Sequence, residues 1–206
     1  MKLQITEDVS QWQTISKLIH WMNGENKEFY PFVIDIGAND GKRLSNSWTF
    51  IIENAWEGIL VEPVSESYNK ILANYEGRDY QPAVEQVAIS DNNDAKVLWV
   101  GGEDNMLSSF VQKASNNGIL CNCMTPKELF DKYDVENVGV LSVDTEGHDF
   151  AIIWSMKKNT EVRPQIIITE TWPHLYYDNI QKHSILFDEG YIRVLHCGEN
   201  EIFYRS

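Results

Sequence analysis

The sequence predicts an α/β fold, in which a mostly parallel sheet carries helices on both faces and an antiparallel hairpin at one edge. First, short β-branched and apolar runs alternate with helical patterns along the chain. Second, those runs are apolar almost throughout, as is typical of strands buried on both faces of a parallel sheet. Third, residues 191–206 ("YIRVLHCGENEIFYRS") consist of two strand-like segments around a turn at residues 198–200.

The chain begins with a helical pattern over residues 8–22 ("DVSQWQTISKLIHWM"), within an N-terminal helical extension assigned to residues 1–30. The apolar side chains of this pattern recur at helical spacing and would share one face. They are Trp12, Ile15, Leu18, Ile19 and Met22. A helix placed before the first strand could cover a site as a lid, but packing on the core is the favoured interpretation.

Five strands and five helices are predicted in the body of the chain. The strands are "FVIDIG" (32–37), "GILVEP" (58–63), "EQVAIS" (85–90), "VGVLSVD" (138–144) and "QIIITE" (165–170). The helices are Ser45–Asn54, Ser65–Tyr75, Pro126–Tyr133, Phe150–Lys158 and Asn179–Glu189. Thr125 would cap the third helix, whose first residue is a proline. Residues 96–123 interrupt the alternation and are assigned to a hairpin or other excursion inserted after the third strand.

Size and charge narrow the classes of function. With 206 residues and no linker-like stretch, the chain is predicted to form a single domain over residues 1–206. Its formal charge of −14 argues against nucleic acid or an anionic membrane as a partner, because both need a basic surface.

The sequence shows neither a secretory leader nor an apolar run of about 18 residues, so we expect a cytoplasmic protein. The oligomeric state is left open.

A carboxylate stands at or near the end of each of the five predicted strands. The carboxyl ends of parallel strands border the ligand crevice of an open α/β sheet, so these side chains should meet along one edge. A row of carboxylates suits a ligand with positive charge and hydroxyls, and disfavours one rich in phosphate. The residues are Asp35, Glu62, Asp91, Asp144 and Glu170.

The strongest local signal is "VIDIGANDGKR" (33–43), a strand that enters a glycine turn. Gly37 would permit the tight turn, Asn39 tolerates unusual backbone angles, and Gly41 would let a ligand approach the backbone. A phosphate-binding P-loop is disfavoured, because the glycine spacing is one residue short and Arg43 replaces the Ser or Thr that holds magnesium. The G-x-G-x-x-G spacing of a dinucleotide site is also absent.

A third interpretation of this segment is a turn that binds S-adenosylmethionine. Asp35, which precedes the glycine, could contact the ammonium group of the methionine end. Glu62, which closes the second strand, could accept hydrogen bonds from both ribose hydroxyls. The sulfonium centre adds a positive charge, which a row of carboxylates would favour.

Taken together, the motifs resemble those of the FkbM family of S-adenosylmethionine-dependent methyltransferases. "VIDIGANDG", "GILVEP", "VAISD", "VLSVDTEGHDF" and "PQIIITE" follow the family's order between Phe32 and Glu170. The D-x-E-G-x-[DE] block that begins at Asp144 is the most distinctive of them. The resemblance implies a class I methyltransferase fold, which is Rossmann-like, with seven strands and an antiparallel final strand. It also implies O-methyl transfer to a hydroxyl of a small molecule, such as a sugar, a polyketide or another secondary metabolite.

The resemblance also implies, by position, which residues contact the cofactor. The methionine end would lie on the glycine turn, the ribose at the end of the second strand, and the adenine on the third strand. Asp144 would lie nearest to the transferred methyl group. The implied cofactor-binding residues are Asp35, Gly37, Ala38, Asn39, Gly41, Glu62, Pro63, Ala88, Ile89 and Asp144, with Ser90 or Asp91 as a polar neighbour of the adenine.

Three residues of "VLSVDTEGHDF" are candidates for catalysis, because the acceptor must lose its hydroxyl proton as the methyl group moves. His148 could act as the general base, since histidine ordinarily titrates near neutrality. Asp144 competes for that role, and crowding with Glu146 could raise its pKa. Glu146 could instead simply order the turn. For Asp149 a helix cap is the favoured interpretation.

Metal binding, acceptor contacts and two other functions stay open as alternatives. Trp172, Tyr176 and Tyr177 could stack on an acceptor with His174 as a polar contact, or could cover the sheet. The segment Met106–Phe110 could line the acceptor pocket, or could pack on itself. The chain could also be an inactive subunit that binds S-adenosylmethionine, or a dinucleotide-dependent oxidoreductase. Five side chains could converge on Mg²⁺ or Mn²⁺, although a site without metal is favoured: Asp144, Glu146, His148, Glu170 and His174.

Overall fold

The computed structural model describes residues 11–25, 27–110 and 117–205. In chain order, the strands of these residues are β1 (Phe32–Ile36), β2 (Glu57–Val61), β3 (Ala83–Glu85), β4 (Ala88–Ile89), β5 (Lys96–Trp99), β6 (Gly118–Cys121), β7 (Cys123–Met124), β8 (Val140–Val143), β9 (Ile166–Glu170), β10 (Tyr191–Cys197) and β11 (Asn200–Arg205). The helices are α1 (Gln11–Gly24), α2 (Ser65–Tyr75), α3 (Pro126–Lys132), α4 (Asp149–Asn159) and α5 (Tyr176–Asp188). None of these described helices has both the length and the apolar character that crossing a membrane requires.

Among the described residues, the central sheet has seven strands in the order β10-β11-β9-β8-β1-β2-β3. β1 pairs in parallel with β2 on one side and with β8 on the other, and β8 pairs in parallel with β9. β11 runs antiparallel to both β9 and β10. The predicted mostly parallel sheet with an antiparallel edge hairpin is therefore confirmed. The chain leaves β1 toward one edge and later returns to its other side at β8, which creates a topological switch point there.

Alternate strand residues pack into two apolar layers, one on each face of the sheet. Along β1, Ile34 and Ile36 contribute to the layer that α3, α4 and α5 cover. Val33 contributes to the opposite layer, which contains side chains of α1 and α2 together with Phe50 and Ile51. Because helices cover both faces, the parallel strands can be apolar almost throughout.

The N-terminal helix α1 packs on the core. Ile15, Leu18 and Met22 are buried in the same apolar layer as the inner side of α2. This burial accounts for the helical spacing of the apolar side chains in the sequence. Residues 8–10 of the predicted helix, and the side chain of Trp12, lie outside the described residues.

Two later helices begin where their sequence signals place them. α2 has the predicted bounds Ser65–Tyr75. At the start of α3, the amide of Glu128 donates to the Thr125 hydroxyl (3.2 Å) and the amide of Thr125 donates to the Glu128 carboxylate (2.8 Å). This capping box satisfies two backbone donors that the helix itself cannot, and Pro126 occupies the first turn.

The strand predicted over residues 85–90 is wrong as a single element. β3 joins the edge of the central sheet beside β2, whereas β4 pairs with β7 in a separate two-stranded sheet. The division arises because the amides of Ala88 and Ser90 donate to the carbonyls of Asn122 and Met124 rather than to a strand of the central sheet. β5 and β6 then pair in antiparallel orientation within the segment that interrupts the alternation.

The helix predicted over Ser45–Asn54 is reduced to one wide π-helical turn at Thr49–Glu53. The Ser45 hydroxyl oxygen accepts the amides of Ser47 and Trp48, at 3.1 and 3.0 Å, and so closes a local turn before a helix can begin. The helix prediction is therefore wrong in its extent. The serine turn that replaces the first part of the helix lies directly against the candidate site.

Candidate active site

A cavity of about 630 Å³ opens at the carboxyl ends of β1, β2, β8 and β9. The topological switch point lies at this edge, which is where open α/β sheets bind their ligands. The wall of the cavity includes most of the residues that the sequence predicts for the cofactor. These are Asp35, Gly37, Ala38, Asn39, Glu62, Pro63, Ala88, Ile89 and Asp144.

The turn after β1 is shaped by the close approach of β1 to β8. Gly37 has φ +87°, and a Cβ placed on it would lie 1.8 Å from the carbonyl oxygen of Asp144. The amides of Gly37 and Ala38 both donate to the carbonyl of Val61, at 3.0 and 3.1 Å. Only glycine fits this position, because any side chain would separate the strand ends that form the cavity wall.

Glu62 is held at the mouth of this turn by two backbone amides. The amide of Asn39 donates to Oε2 (3.0 Å) and the amide of Val64 donates to Oε1 (2.9 Å). The side chain is only 6% exposed, and burial raises its pKa to about 7, with a smaller contribution from the charge of Asp35. Each carboxylate oxygen keeps further lone pairs for hydroxyl donors of a ligand.

Asp35 lies on the cavity wall, and its carboxylate accepts hydrogen bonds from neighbouring serine hydroxyls. The Ser47 hydroxyl donates to Asp35 Oδ2 at 2.6 Å, and the Asn46 amide donates to the Ser142 hydroxyl at 3.0 Å. Burial raises the pKa of Asp35, whereas hydrogen bonds from Ser47 and Ser142 lower it. Asp35 therefore fixes the serine turn against the strand ends as well as facing the cavity.

Three carboxylates meet where β8 and β9 end. One oxygen each from Asp144, Glu146 and Glu170 lie within 4.8 Å of one another, and we call this group the acidic cluster. All three residues line the cavity. Glu146 can turn its carboxylate inward because its backbone is left-handed, with φ 56°, and the left-handed Gly147 follows it.

Burial and mutual repulsion perturb the acidic cluster. Burial, followed by the charges of neighbouring carboxylates, raises the pKa of Asp144 and of Glu170 above the ordinary carboxyl range. Asp144 and Glu170 are therefore readier than ordinary carboxyl groups to hold a proton near neutral pH. Such perturbed carboxylates in a cavity are typical of functional sites.

Asp149 holds the two strand ends of the acidic cluster together. Its Oδ1 accepts the amide and the hydroxyl of Thr145, at 3.0 and 2.6 Å. Its Oδ2 accepts the Thr169 hydroxyl (2.8 Å) and the Glu170 amide (3.0 Å). Asp149 is the first residue of α4, and these bonds run to the β8 and β9 ends rather than to helix amides. Its role therefore differs from the helix cap that the sequence predicts.

The structure places His148 outside the cavity wall. Its Nε2 lies 2.9 Å from the Ser90 hydroxyl oxygen, and its ring meets the ring of Phe110 edge-on at a centroid distance of 4.9 Å. Burial lowers its pKa. The second imidazole proposed from the sequence, His174, is not among the three ligands of the acidic cluster. Asp144 and Glu146 are thus the predicted catalytic residues that reach the cavity.

Three other residues that are predicted to contact the ligand or to neighbour it lie off the cavity wall. Gly41 has φ +68°, and a Cβ there would lie 3.1 Å from the Tyr75 ring and 3.2 Å from Ile71, so its lack of a side chain serves core packing. Gly41 does not line the cavity, and neither does Ser90 or Asp91. Ser90 is buried behind the wall and donates to Asp91 at 3.0 Å.

The wall opposite the glycine turn contains residues that the sequence does not single out. Cys197, Glu199 and Asn200 reach the cavity because β11 pairs with β9 in a register that sets Asn200 opposite Glu170. The turn of the terminal hairpin is thereby brought to the carboxyl end of β9. A long-range antiparallel register of this kind leaves no local signal in the sequence.

The segment after β5 closes another side of the cavity. Met106, Leu107, Ser108 and Phe110 line it, together with Trp172. The segment is tied to the glycine turn, since the Asn39 side chain donates to the Asp104 carbonyl (3.1 Å). The Asp104 carboxylate also pairs with Arg43 (2.8 Å) and Lys70 (3.2 Å).

Comparison with known proteins identifies similar chains. Residues 35–193 match the family described as the methyltransferase FkbM domain. No curated protein matches the chain in sequence. Among solved structures, the methyltransferase FkbM from Methylobacillus flagellatus KT is 13% identical with a TM-score of 0.56, and the match covers 89% of this chain and 46% of that one.

Two further structures are similar over nearly the whole chain. The precorrin-6y C5,15-methyltransferase from Geobacter metallireducens GS-15 is 12% identical with a TM-score of 0.49, covering 100% of this chain and 95% of that one. The ribosomal protein L11 methylase from Lactobacillus delbrueckii subsp. bulgaricus is 9% identical with a TM-score of 0.46, covering 95% and 79%. The chain spans under half the length of the first structure, and the likeness to it establishes a class I methyltransferase fold.

Proposed function

Because the chain belongs to the FkbM family of methyltransferases, we propose that it transfers a methyl group from S-adenosylmethionine to a hydroxyl oxygen of a small molecule. One observation carries the proposal. The same cavity joins the Gly37 turn and Glu62, which suit the donor, to the acidic cluster, which suits the reacting end of the acceptor.

The donor fits the side of the cavity formed by β1, β2 and β4. Glu62 accepts the two ribose hydroxyls, since each of its oxygens is already oriented by one backbone amide. Pro63, Ala88 and Ile89 offer an apolar wall to the adenine ring. The methionine end then lies along the Gly37 turn, with its sulfonium centre toward Asp144.

The transfer needs an aligned acceptor and a place for its proton. The acceptor oxygen forms the bond to the methyl carbon while the sulfur leaves with the electron pair of the bond that breaks. The hydroxyl proton passes to a carboxylate, for which Asp144 is the proposed base. Its raised pKa favours taking up a proton, and the positive sulfonium beside it favours the ionised form before the reaction.

A small acceptor with a hydroxyl group, such as a sugar or another secondary metabolite, suits the remaining space. Trp172 and Phe110 present aromatic rings that can pack on a sugar face or a planar acceptor. The formal charge of −14 opposes the phosphate backbone of nucleic acid and an anionic membrane surface. We therefore propose a small molecule as the partner of the site.

Isothermal titration calorimetry with S-adenosylhomocysteine, the reaction product, tests the donor site. We expect binding in the micromolar range, and its loss in Glu62→Ala. Glu57→Ala is the matched control, because Glu57 lies on the same strand with its side chain exposed to solvent. Clear binding of NAD with no heat from S-adenosylhomocysteine would instead support an oxidoreductase and overturn the proposal.

Methyl transfer itself is tested with isotopically labelled S-adenosylmethionine and a panel of sugars and other hydroxyl compounds. We expect transfer to at least one member of the panel by the natural chain, and loss of it in Asp144→Asn. Donor binding without transfer to any hydroxyl compound would favour an inactive binding subunit.

A further inference from the structure

The acidic cluster has the spacing of a cation site. Its three carboxylate oxygens lie within 4.8 Å of one another. Oxygen ligands bond a divalent ion at about 2.0–2.6 Å, so the ligand oxygens around one ion are at most about 4–5 Å apart. Asp144, Glu146 and Glu170 therefore reach one common point without a change in the backbone.

A second observation at the same place points to a missing ligand. Glu170 is 7% exposed, and its buried Oε2 has no hydrogen bond of ordinary geometry in the described part of the chain, while the neighbouring Trp172 side chain only partly offsets the raised pKa of this carboxyl. A buried carboxylate oxygen without a partner costs free energy, and native proteins keep few such atoms. Since Glu170 lines the cavity and belongs to the cluster, a ligand bound between the three carboxylates would satisfy this oxygen.

Among the described residues, no positively charged side chain pairs with the carboxylate of Glu170. In the described part of the chain, no ion pair involves Asp144 or Glu170. The buried ammonium of Lys182 donates to the main-chain carbonyl of Glu170 rather than to its carboxylate. A divalent ion would balance two of the three carboxylate charges, whereas an ammonium group would balance one.

We propose that Asp144, Glu146 and Glu170 bind a divalent cation of the Mg²⁺ or Mn²⁺ class. The donor set contains carboxylate oxygens alone, which suits hard cations rather than zinc. The two histidines that the sequence offered as ligands are not part of it. This proposal differs from the sequence-based preference for a site without metal.

The position of the cation site suggests what the ion does, and this step rests on the proposed function. Asp144 lies against the Gly37 turn, so the site falls between the methionine end of the donor and the far wall of the cavity. An ion held there has open positions toward the cavity. It would bind the hydroxyl oxygen of the acceptor, orient it toward the methyl group and make its proton easier to remove.

Electron paramagnetic resonance with Mn²⁺, titrated into the full chain without nucleoside, tests the site. We expect saturable binding of about one ion per chain, displaced by excess Mg²⁺. Glu170→Gln and Glu146→Gln should each weaken it by more than about tenfold. Asp91→Asn is the matched control, since Asp91 is also a carboxylate that follows a strand (β4) but does not line the cavity, and this variant should bind Mn²⁺ as the natural chain does.

Binding of S-adenosylhomocysteine to the same variants separates this proposal from the proposed function. We expect Glu170→Gln to keep that binding within a few fold, which also shows that it folds. The cation site would be overturned if the natural chain shows no saturable Mn²⁺ binding. It would also be overturned if both Gln variants bind Mn²⁺ as tightly as the natural chain. If the natural chain binds Mn²⁺ but does not bind S-adenosylhomocysteine, the proposed function is overturned and the cation site is not. Calorimetric binding of methylammonium without Mn²⁺ binding would identify a cationic acceptor group and also overturn the cation site.

Discussion

Replacing Gly37 by alanine tests whether the cavity depends on the contact between the ends of β1 and β8. The new Cβ would lie 1.8 Å from the Asp144 carbonyl oxygen, so the two strand ends must separate by more than about 1 Å to restore an ordinary contact. That movement strains the bond from the Asp144 amide to the Ile36 carbonyl (3.0 Å) and the bond from the Gly37 amide to Val61. A left-handed backbone costs a further ~1–2 kcal/mol in a residue with a side chain.

These contributions sum to a loss of about 3–4 kcal/mol in the free energy of unfolding, with each of the two hydrogen bonds taken as about 1 kcal/mol. For a chain of this size, the melting temperature should fall by about 6–16 °C. Urea unfolding followed by circular dichroism measures the change directly. Calorimetry on the folded variant should also show loss of S-adenosylhomocysteine binding.

Gly77→Ala supplies the matched control. Gly77 has a similar left-handed backbone (φ +71°), but a Cβ there would meet no heavy atom within 4 Å. It should therefore cost only the backbone strain of about 1–2 kcal/mol. If Gly37→Ala is no more destabilising than Gly77→Ala, the close contact does not hold the strand ends and the reasoning is refuted.

Three more predictions concern the donor site, the proposed base and the bonds that join the strand ends. Because burial raises the pKa of Glu62 to about 7, its carboxyl is protonated below that pH and accepts fewer hydrogen bonds. Calorimetry should show weaker S-adenosylhomocysteine binding as the pH falls below about 7, and a flat profile in Glu62→Gln would support the assignment. Asp144→Asn should lower kcat by more than about 100-fold with nucleoside affinity kept within a few fold, whereas His148→Gln should reduce kcat far less; the reverse order would reassign the base. Asp149→Ala should lower the free energy of unfolding in urea by about 3–5 kcal/mol, against almost no change for the exposed Asp94→Ala, and similar values for both would show that Asp149 does not join the strand ends.

The sheet was predictable where local pattern and long-range pairing agree. The apolar runs that became β1, β2, β8 and β9 are buried on both faces, so their composition alone identifies them. Residues 85–90 also contain a short apolar run, yet the amides of Ala88 and Ser90 pair with the segment around Asn122. No local pattern encodes that choice of partner, so the sequence could not divide the strand.

The candidate site was predictable to the extent that it follows strand ends. Parallel strands bring Glu62, Asp144 and Glu170 to one edge, as their positions after apolar runs predict. The side-chain direction within a turn was not predictable, which is why His148 was expected at the cavity but contacts Ser90 instead. Asn200 was missed because only the register of β11 on β9 brings it beside Glu170.

The division of the cavity wall along the chain has a consequence for evolution and engineering. The side proposed for the donor comes from residues 35–63 and 88–89, whereas the opposite wall comes from residues 105–110 and the turn at 197–200. Gly198, at the tip of that turn, has no heavy atom within 4 Å of the place where a Cβ would stand. Under the proposed function, mutation or insertion at the turn would change the acceptor wall and leave the donor wall unchanged, so acceptor preference could change without rebuilding the cofactor site.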